Sequence, residues 1–115
     1  MATNETCDWT GASGKRYTYH VYSLPTSFNV NQNGNYIFAK IVNNRWVPIY
    51  IGQGDLGNRI SDNHHQAKCI VNKGATHVHV HLNTTESART AEESDLLASY
   101  TNAYAPNGCN EKSGG

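Results

Sequence analysis

Hydrophobic and polar positions change their period several times along the chain, and each change marks an element. Residues 16–23 (RYTYHVYS) are rich in Tyr and Val and suit a strand, which Leu24-Pro25 ends. Residues 26–35 carry Asn29, Asn31, Asn33, Gly34 and Asn35, a loop composition. Tyr36-Ile-Phe-Ala-Lys-Ile-Val42 is strongly β-prone, and Trp46-Val-Pro-Ile-Tyr-Ile51 follows it across Asn43-Asn44. Two β runs around an Asn-Asn turn predict a hairpin. Pro48 cannot donate to a ladder, so its strand belongs at a sheet edge or starts there. Asp55 offers a cap for a helix running to about Asn72, with Ile60, His64, Ala67 and Val71 at helical spacing and Lys73-Gly74 as its stop. Residues 76–82 (THVHVHL) alternate strictly and predict a strand. Thr84 and Thr85 can cap a second helix from about Glu86 to Tyr100, and Pro106-Asn-Gly108 closes that segment.

The order β, ββ, α, β, α predicts a small α/β (α+β) domain. Its sheet would be mostly antiparallel and three-stranded, with an extra N-terminal strand and helices packed against it. The 115 residues fit a single domain. Residues 1–14 are small, polar and Gly-containing, and are expected to form a flexible lead-in, pinned at most by Trp9.

Composition narrows the class. Hydrophobic residues are 37%, below the usual share, and the difference goes to uncharged polar residues, including 14 Asn and 10 Gly. Nine Lys plus Arg balance nine Asp plus Glu, so the chain does not coat nucleic acid by bulk charge alone. No apolar run approaches the roughly 20 residues of a membrane span, and Met1–Thr10 has no secretory h-region. Cys7, Cys69 and Cys109 form no C-x-x-C pair. One intramolecular bridge fits them, but three free thiols in a reducing cytoplasm is the simpler expectation.

Chemistry-bearing residues recur in a definite order. Gly34-x-Tyr36 opens one hairpin strand and Tyr50-Ile-Gly52 closes the other, bringing Tyr36 and Tyr50 together at the open end. Arg59 and His64 follow on the first helix. Glu93, Leu96, Leu97 and Tyr100 stand at i, i+3, i+4 and i+7 on the second, so Glu93 shares an apolar stripe, where a carboxylate is costly unless paired. Pro106…Asn110 ends the series. Taken together over residues 34–110, these motifs resemble the GIY-YIG nuclease superfamily. Gly74-Ala-Thr-His-Val-His-Val-His81 is similar to one bacterial branch of its small members. The chain departs from the family in Asn35, in a long hairpin with 13 residues between the tyrosines, and in an insertion near the end. Glu92 therefore competes with Glu93, His65 with His64 and Asn107 with Asn110; the spacing favours Glu93, His64 and Asn110.

The resemblance implies cleavage of a nucleic-acid phosphodiester, in DNA rather than RNA, assisted by one Mg2+ or Mn2+ ion. It casts Tyr36, Tyr50, Arg59, His64, Glu93 and Asn110 as catalytic, with Glu93 as metal ligand and Arg59, Gly52 and His65 in contact with substrate. A guanidinium can hold two phosphate oxygens at once, and one carboxylate can hold a hard cation. A tyrosine would serve as base, its pKa lowered from about 10 by Arg59 and the ion. Arg59 would also sit near a helix N-terminus, whose N–H groups favour phosphate. The six basic and six acidic residues between positions 34 and 110 leave binding to a local patch, a homodimer or a partner protein.

Two other readings stand beside this one. The same fold could be a non-catalytic nucleic-acid-binding or assembly module. His77, His79 and His81 share one face of a strand and could hold zinc, or form a polar outer face. The Tyr17, Tyr19 and Tyr22 strand, beside Lys15 and Arg16, could stack on bases but more simply extends the sheet.

Overall fold

Asn43 and Asn44 both adopt positive φ (53° and 64°), the backbone of a tight hairpin turn whose twist suits its flanking strands. That turn joins the two longest strands of a computed structural model describing residues 5–111. The strands are β1 (Thr6–Thr10), β2 (Arg16–Ser23), β3 (Asn33–Val42), β4 (Arg45–Asp55) and β5 (His77–Leu82). The helices are α1 (Leu56–Arg59), α2 (Ala67–Asn72) and α3 (Glu86–Ser99), followed by one 3-10 turn at Thr101–Ala103. The fold is mixed α+β, with one five-stranded antiparallel sheet ordered β1-β2-β5-β3-β4.

The sheet is larger than the sequence pattern predicts. The stretch expected to be a loose lead-in contains β1, and its Trp9 is almost fully buried; residues 1–4 lie outside the described residues. β3 begins at Asn33, so Gly34 and Asn35 are strand residues and not loop. β2 lies between β1 and β5 and buries Tyr17 and Tyr19, so these two build the sheet, while the partly buried Tyr22 packs edgewise on Phe28. β4 is an edge strand, as Pro48 requires, and the register slips opposite Phe38 and Ala39, near that proline.

Alternation splits the strands between two apolar layers. Tyr36, Phe38, Val78 and Val80 pack under Leu56, Ile60 and Ile70. Tyr19, Ile37, Ala39 and Ile51 pack with Trp9 and Leu96 of α3. Helix α3 itself contributes few hydrophobes to that layer: its buried residues are Arg89, Glu92 and Leu96. Glu92 accepts from the Tyr19 hydroxyl and pairs with His81 Nδ1 at 3.0 Å, while Asp95 accepts from the Tyr17 hydroxyl at 2.7 Å. Tyr19 of β2 thus satisfies a carboxylate, Glu92, that would otherwise be costly to bury, while Tyr17 bonds the partly exposed Asp95.

The single helix expected over 55–72 is two short ones. Asp55 does cap α1, accepting from the Asn58 N–H, but the chain leaves the helix at Ile60. The cause is Ser61-Asp62-Asn63: Ser61 Oγ donates to the Asn58 carbonyl and accepts from the Asn63 N–H, offering the backbone a turn in place of the helix ladder. Gly74, at φ 88°, ends α2 as expected.

Cys69 and Cys109 form a disulfide between α2 and the closing segment, and Cys7 is free. The expectation of three free thiols is therefore wrong, because folding brings together two cysteines 40 residues apart. A bonded pair lends no support to a reducing compartment. Among the described residues, no helix is long and apolar enough to cross a membrane.

Candidate functional site

Tyr36 sits opposite Gly52 across the β3–β4 ladder. The phenol lies over the glycine: a Cβ at Gly52 would stand 2.5 Å from Tyr36 Oη. The residue must lack a side chain there for Tyr36 to lie flat. Tyr50, one pair along the same face, stacks on Tyr36 with ring centroids 6.0 Å apart. The hairpin thus assembles the two tyrosines as its sequence suggests.

The turn between α1 and α2 brings His64 onto this pair. Its Nε2 is 2.9 Å from Tyr36 Oη, and its ring stands edgewise to Tyr50 at 4.8 Å. The Gln66 backbone N–H donates to His64 Nδ1 at 2.9 Å. Nδ1 is therefore the acceptor nitrogen, and the proton of the neutral ring is on Nε2, which donates to Tyr36. Burial, reinforced by His65 and Arg59, pulls the His64 pKa down to about 4, so it is neutral at pH 7. His64 is buried; His65 is exposed and stacks on it at 4.5 Å.

Both phenols lie above the ordinary tyrosine value. Burial is the main cause for each; Arg59 acts in the opposite direction and is outweighed. The expectation gave the lowering to Arg59 and the ion together; Arg59 by itself does not bring either phenol below its ordinary value. Behind burial, the neighbouring Tyr50 raises Tyr36 further, while Tyr36 acts to lower Tyr50. His64 Nε2–H thus holds the Tyr36 hydroxyl, and Tyr50 stacks on the Tyr36 ring.

Glu93 and Glu92 separate cleanly. Glu92 faces the sheet and is engaged by Tyr19 and His81. Glu93, one residue on, is half-buried and lines an open cavity of about 800 Å3 with Tyr50, His65, Gln66, Asn110 and Glu111. Sequence spacing put Glu93 on the fully buried stripe, whereas Glu92 takes that place because Tyr19 and His81 are there to receive it. Burial raises the Glu93 carboxyl above the usual range, and Arg59 opposes this.

Arg59 is exposed, beside Gly54, and lines a second cavity of about 410 Å3 with Asp55, Asn63, His64 and His65. α1 is four residues long and Arg59 is its last, so its N-terminus offers no phosphate site of the kind expected. Asn110 is buried and holds the free edge of β4: its Oδ1 accepts from the Ile51 N–H at 2.8 Å and its Nδ2 donates to the Ile51 carbonyl at 2.9 Å. Asn107 is exposed. Beside Asn110, the Cys109 N–H donates to the Ile49 carbonyl, and the disulfide ties this segment to α2.

Two lining residues escaped the sequence reading. Gln66 fixes the His64 tautomer through its backbone and bonds Glu111 through its amide. Neither belongs to a motif, and a backbone N–H leaves no signal in sequence. The three strand histidines do not form a site. His79 is fully buried, accepting from Trp9 Nε1 at 3.0 Å and packed against Trp46, so that face is not a polar exterior. His81 bonds Glu92 and His77 bonds Thr76. Among the described residues, no group of three or more His, Cys, Asp or Glu stands close enough to hold a metal ion by itself.

No protein-family model, curated protein or solved structure matches the chain.

Proposed function

We propose that this chain is a divalent-metal-dependent endonuclease of GIY-YIG type, hydrolysing phosphodiester bonds in nucleic acid, with DNA as substrate. One observation carries the reading: residues from β3, β4, the α1–α2 turn, α3 and the closing segment converge on a single region. Tyr36 bonds His64 and stacks on Tyr50, Glu93 shares a cavity with Tyr50, Arg59 shares one with His64, and Asn110 fixes the strand between Tyr50 and Gly52.

Each residue has a distinct task. Arg59 grips two phosphoryl oxygens with its planar fork and meets the charge that grows during in-line attack. His64 is a donor, not a base: its Nε2–H holds Tyr36 in place. Tyr36 in turn stacks on Tyr50 and acts to lower its pKa against the burial that raises it. Tyr50 lines the Glu93 cavity, so it is the phenol that meets the attacking water and takes its proton once ionised. Asn110 is a positioning residue acting through the β4 backbone. Glu93 would hold Mg2+ or Mn2+, which when bound would stabilise the leaving oxygen and add positive charge beside Tyr50.

Supercoiled plasmid incubated with Mg2+ or Mn2+, with an EDTA control, tests the proposal. Metal-dependent nicking is expected. Binding without cleavage in either metal would point to the non-catalytic module.

A further inference from the structure

Three cavities follow one another, each sharing a histidine with the next. The first, with Tyr50 and Glu93, meets the second, with Arg59, at His65. The second meets a third at His64. The first two belong to the proposed reaction. The third does not, and its chemistry differs. It is about 290 Å3, walled by Phe38, Ile60, Ala67 and Ile70, with Ser61 and the exposed carboxylate of Asp62 at its rim.

A strand whose phosphate lies against Arg59 has its next group within reach of this cavity, because a single imidazole separates the two. The occupant must tolerate apolar walls, so it is not a second phosphate. A volume at the small end of ligand pockets suits one flat ring system and excludes a base pair. Electroneutrality points the same way. With nine basic and nine acidic residues, backbone charge contributes little affinity, and burial of a base face supplies what the charge does not.

Resting on the nuclease reading, we propose that the third cavity receives one nucleobase turned out of the stack beside the phosphate that Arg59 holds. The substrate is therefore nucleic acid with an unpaired nucleotide next to the cut. Asp62 accepts from an exocyclic amino group, so adenine, cytosine or guanine fits and thymine, which has none, fits less well.

The test uses three oligonucleotide duplexes: fully paired, with a single-nucleotide adenine bulge, and with an abasic residue at the bulge. Cleavage is followed in Mn2+ with wild type and with Ala67→Phe, which fills the cavity from α2. In Ca2+, 2-aminopurine fluorescence at the bulge reports binding alone. Wild type should cut the adenine bulge about tenfold or more faster than the other two, the scale of one stacked base. Ala67→Phe should erase that preference while keeping the slower rate on paired duplex. The 2-aminopurine signal should change on binding wild type and not Ala67→Phe. Equal rates on all three duplexes, or an unchanged 2-aminopurine signal with wild type, would overturn the proposal without help from the variant; an apolar protein side chain as the true occupant gives that result. If nothing is cut but the 2-aminopurine signal still responds, the nuclease reading fails and the base pocket stands.

Discussion

Replacing Gly52 with alanine adds one methyl group at the most crowded point of the site. Its backbone lies in a β-strand, with φ outside the left-handed region, so the substitution carries no conformational penalty. By itself, loss of glycine freedom in the unfolded chain would stabilise by about 0.4–1 kcal/mol. The new Cβ, however, would lie 2.5 Å from Tyr36 Oη, 2.6 Å from Cζ and 2.9 Å from Tyr50 Cε1. Ordinary contact needs about 3.4–4 Å, so the phenol must move by roughly 1 Å. Tyr36 is 1% exposed and hemmed in by Phe38, Tyr50 and His64, so nothing yields freely. A shift of that size stretches the 2.9 Å bond to His64 past any useful length. Overpacking costs about 1–3 kcal/mol and an orphaned buried donor about 1–3 more. Set against the backbone gain, the net expectation is a loss of about 1–5 kcal/mol in stability. Cleavage should fall by roughly 10²-fold, the cost of misplacing a reacting group by 1 Å. Urea unfolding and single-turnover cleavage, at a temperature where the variant stays folded, measure both. A Gly52→Ala protein as stable as wild type, or more stable, would refute the packing reasoning. A destabilised variant with undiminished turnover would remove Tyr36 from the chemistry.

Other outcomes follow from the same geometry. Arg59→Lys keeps the charge and loses the fork; single-turnover cleavage should drop by roughly 10²-fold while binding in Ca2+ weakens much less, and equal losses would reduce Arg59 to a docking residue. Reducing the Cys69–Cys109 bond, which spans 40 residues, should cost about 3–4 kcal/mol in denaturant unfolding and lower cleavage, since that bond holds the segment carrying Asn110; unchanged midpoints would contradict this. Acid should destabilise the fold through His64 and His79, both held near pKa 4 by burial. Their folded pKa values lie below the unfolded value of about 6.5, so the unfolded chain binds more protons between pH 6.5 and 4, and stability falls as pH drops through that window. At pH 5 the loss is about 2 kcal/mol for each histidine; an unfolding midpoint flat from pH 7 to 5 would show that both rings are readily protonated in the folded protein.

Those histidines also mark where sequence was informative and where it was not. The Asn43-Asn44 hairpin, the edge position of the Pro48 strand, the β5 alternation and the span of α3 were legible because each rests on local backbone chemistry. The tyrosine pair followed from the hairpin. What failed depended on partners distant in sequence. A strand with one histidine-bearing face reads as half-exposed, yet Trp9, 70 residues away, buries His79. Helical spacing turned Glu93 inward and the structure turns Glu92 inward, because Tyr19 and His81, distant in sequence, are there to receive it. Periodicity likewise carried a helix through Ser61-Asp62-Asn63, where side-chain hydrogen bonds to the backbone break it. The Cys69–Cys109 pairing lay beyond counting, since three cysteines allow three pairs or none.

The central claim is that Glu93, and not its buried neighbour, anchors a metal-dependent phosphodiester cleavage. Plasmid nicking in Mn2+ by wild type, Glu93→Gln and Glu92→Gln tests it most directly, with urea unfolding of each as the control for folding. Glu93→Gln keeps the shape of the cavity wall and removes the one carboxylate proposed to hold the ion, so it should fold like wild type and lose cleavage by 10²-fold or more, the scale of removing one electrostatic stabiliser. Glu92→Gln leaves Tyr19 and His81 badly partnered, so it should lower stability while the folded fraction still nicks in Mn2+. Full nicking by Glu93→Gln would contradict the account, and an inactive but stable Glu92→Gln beside it would move the metal to the other carboxylate.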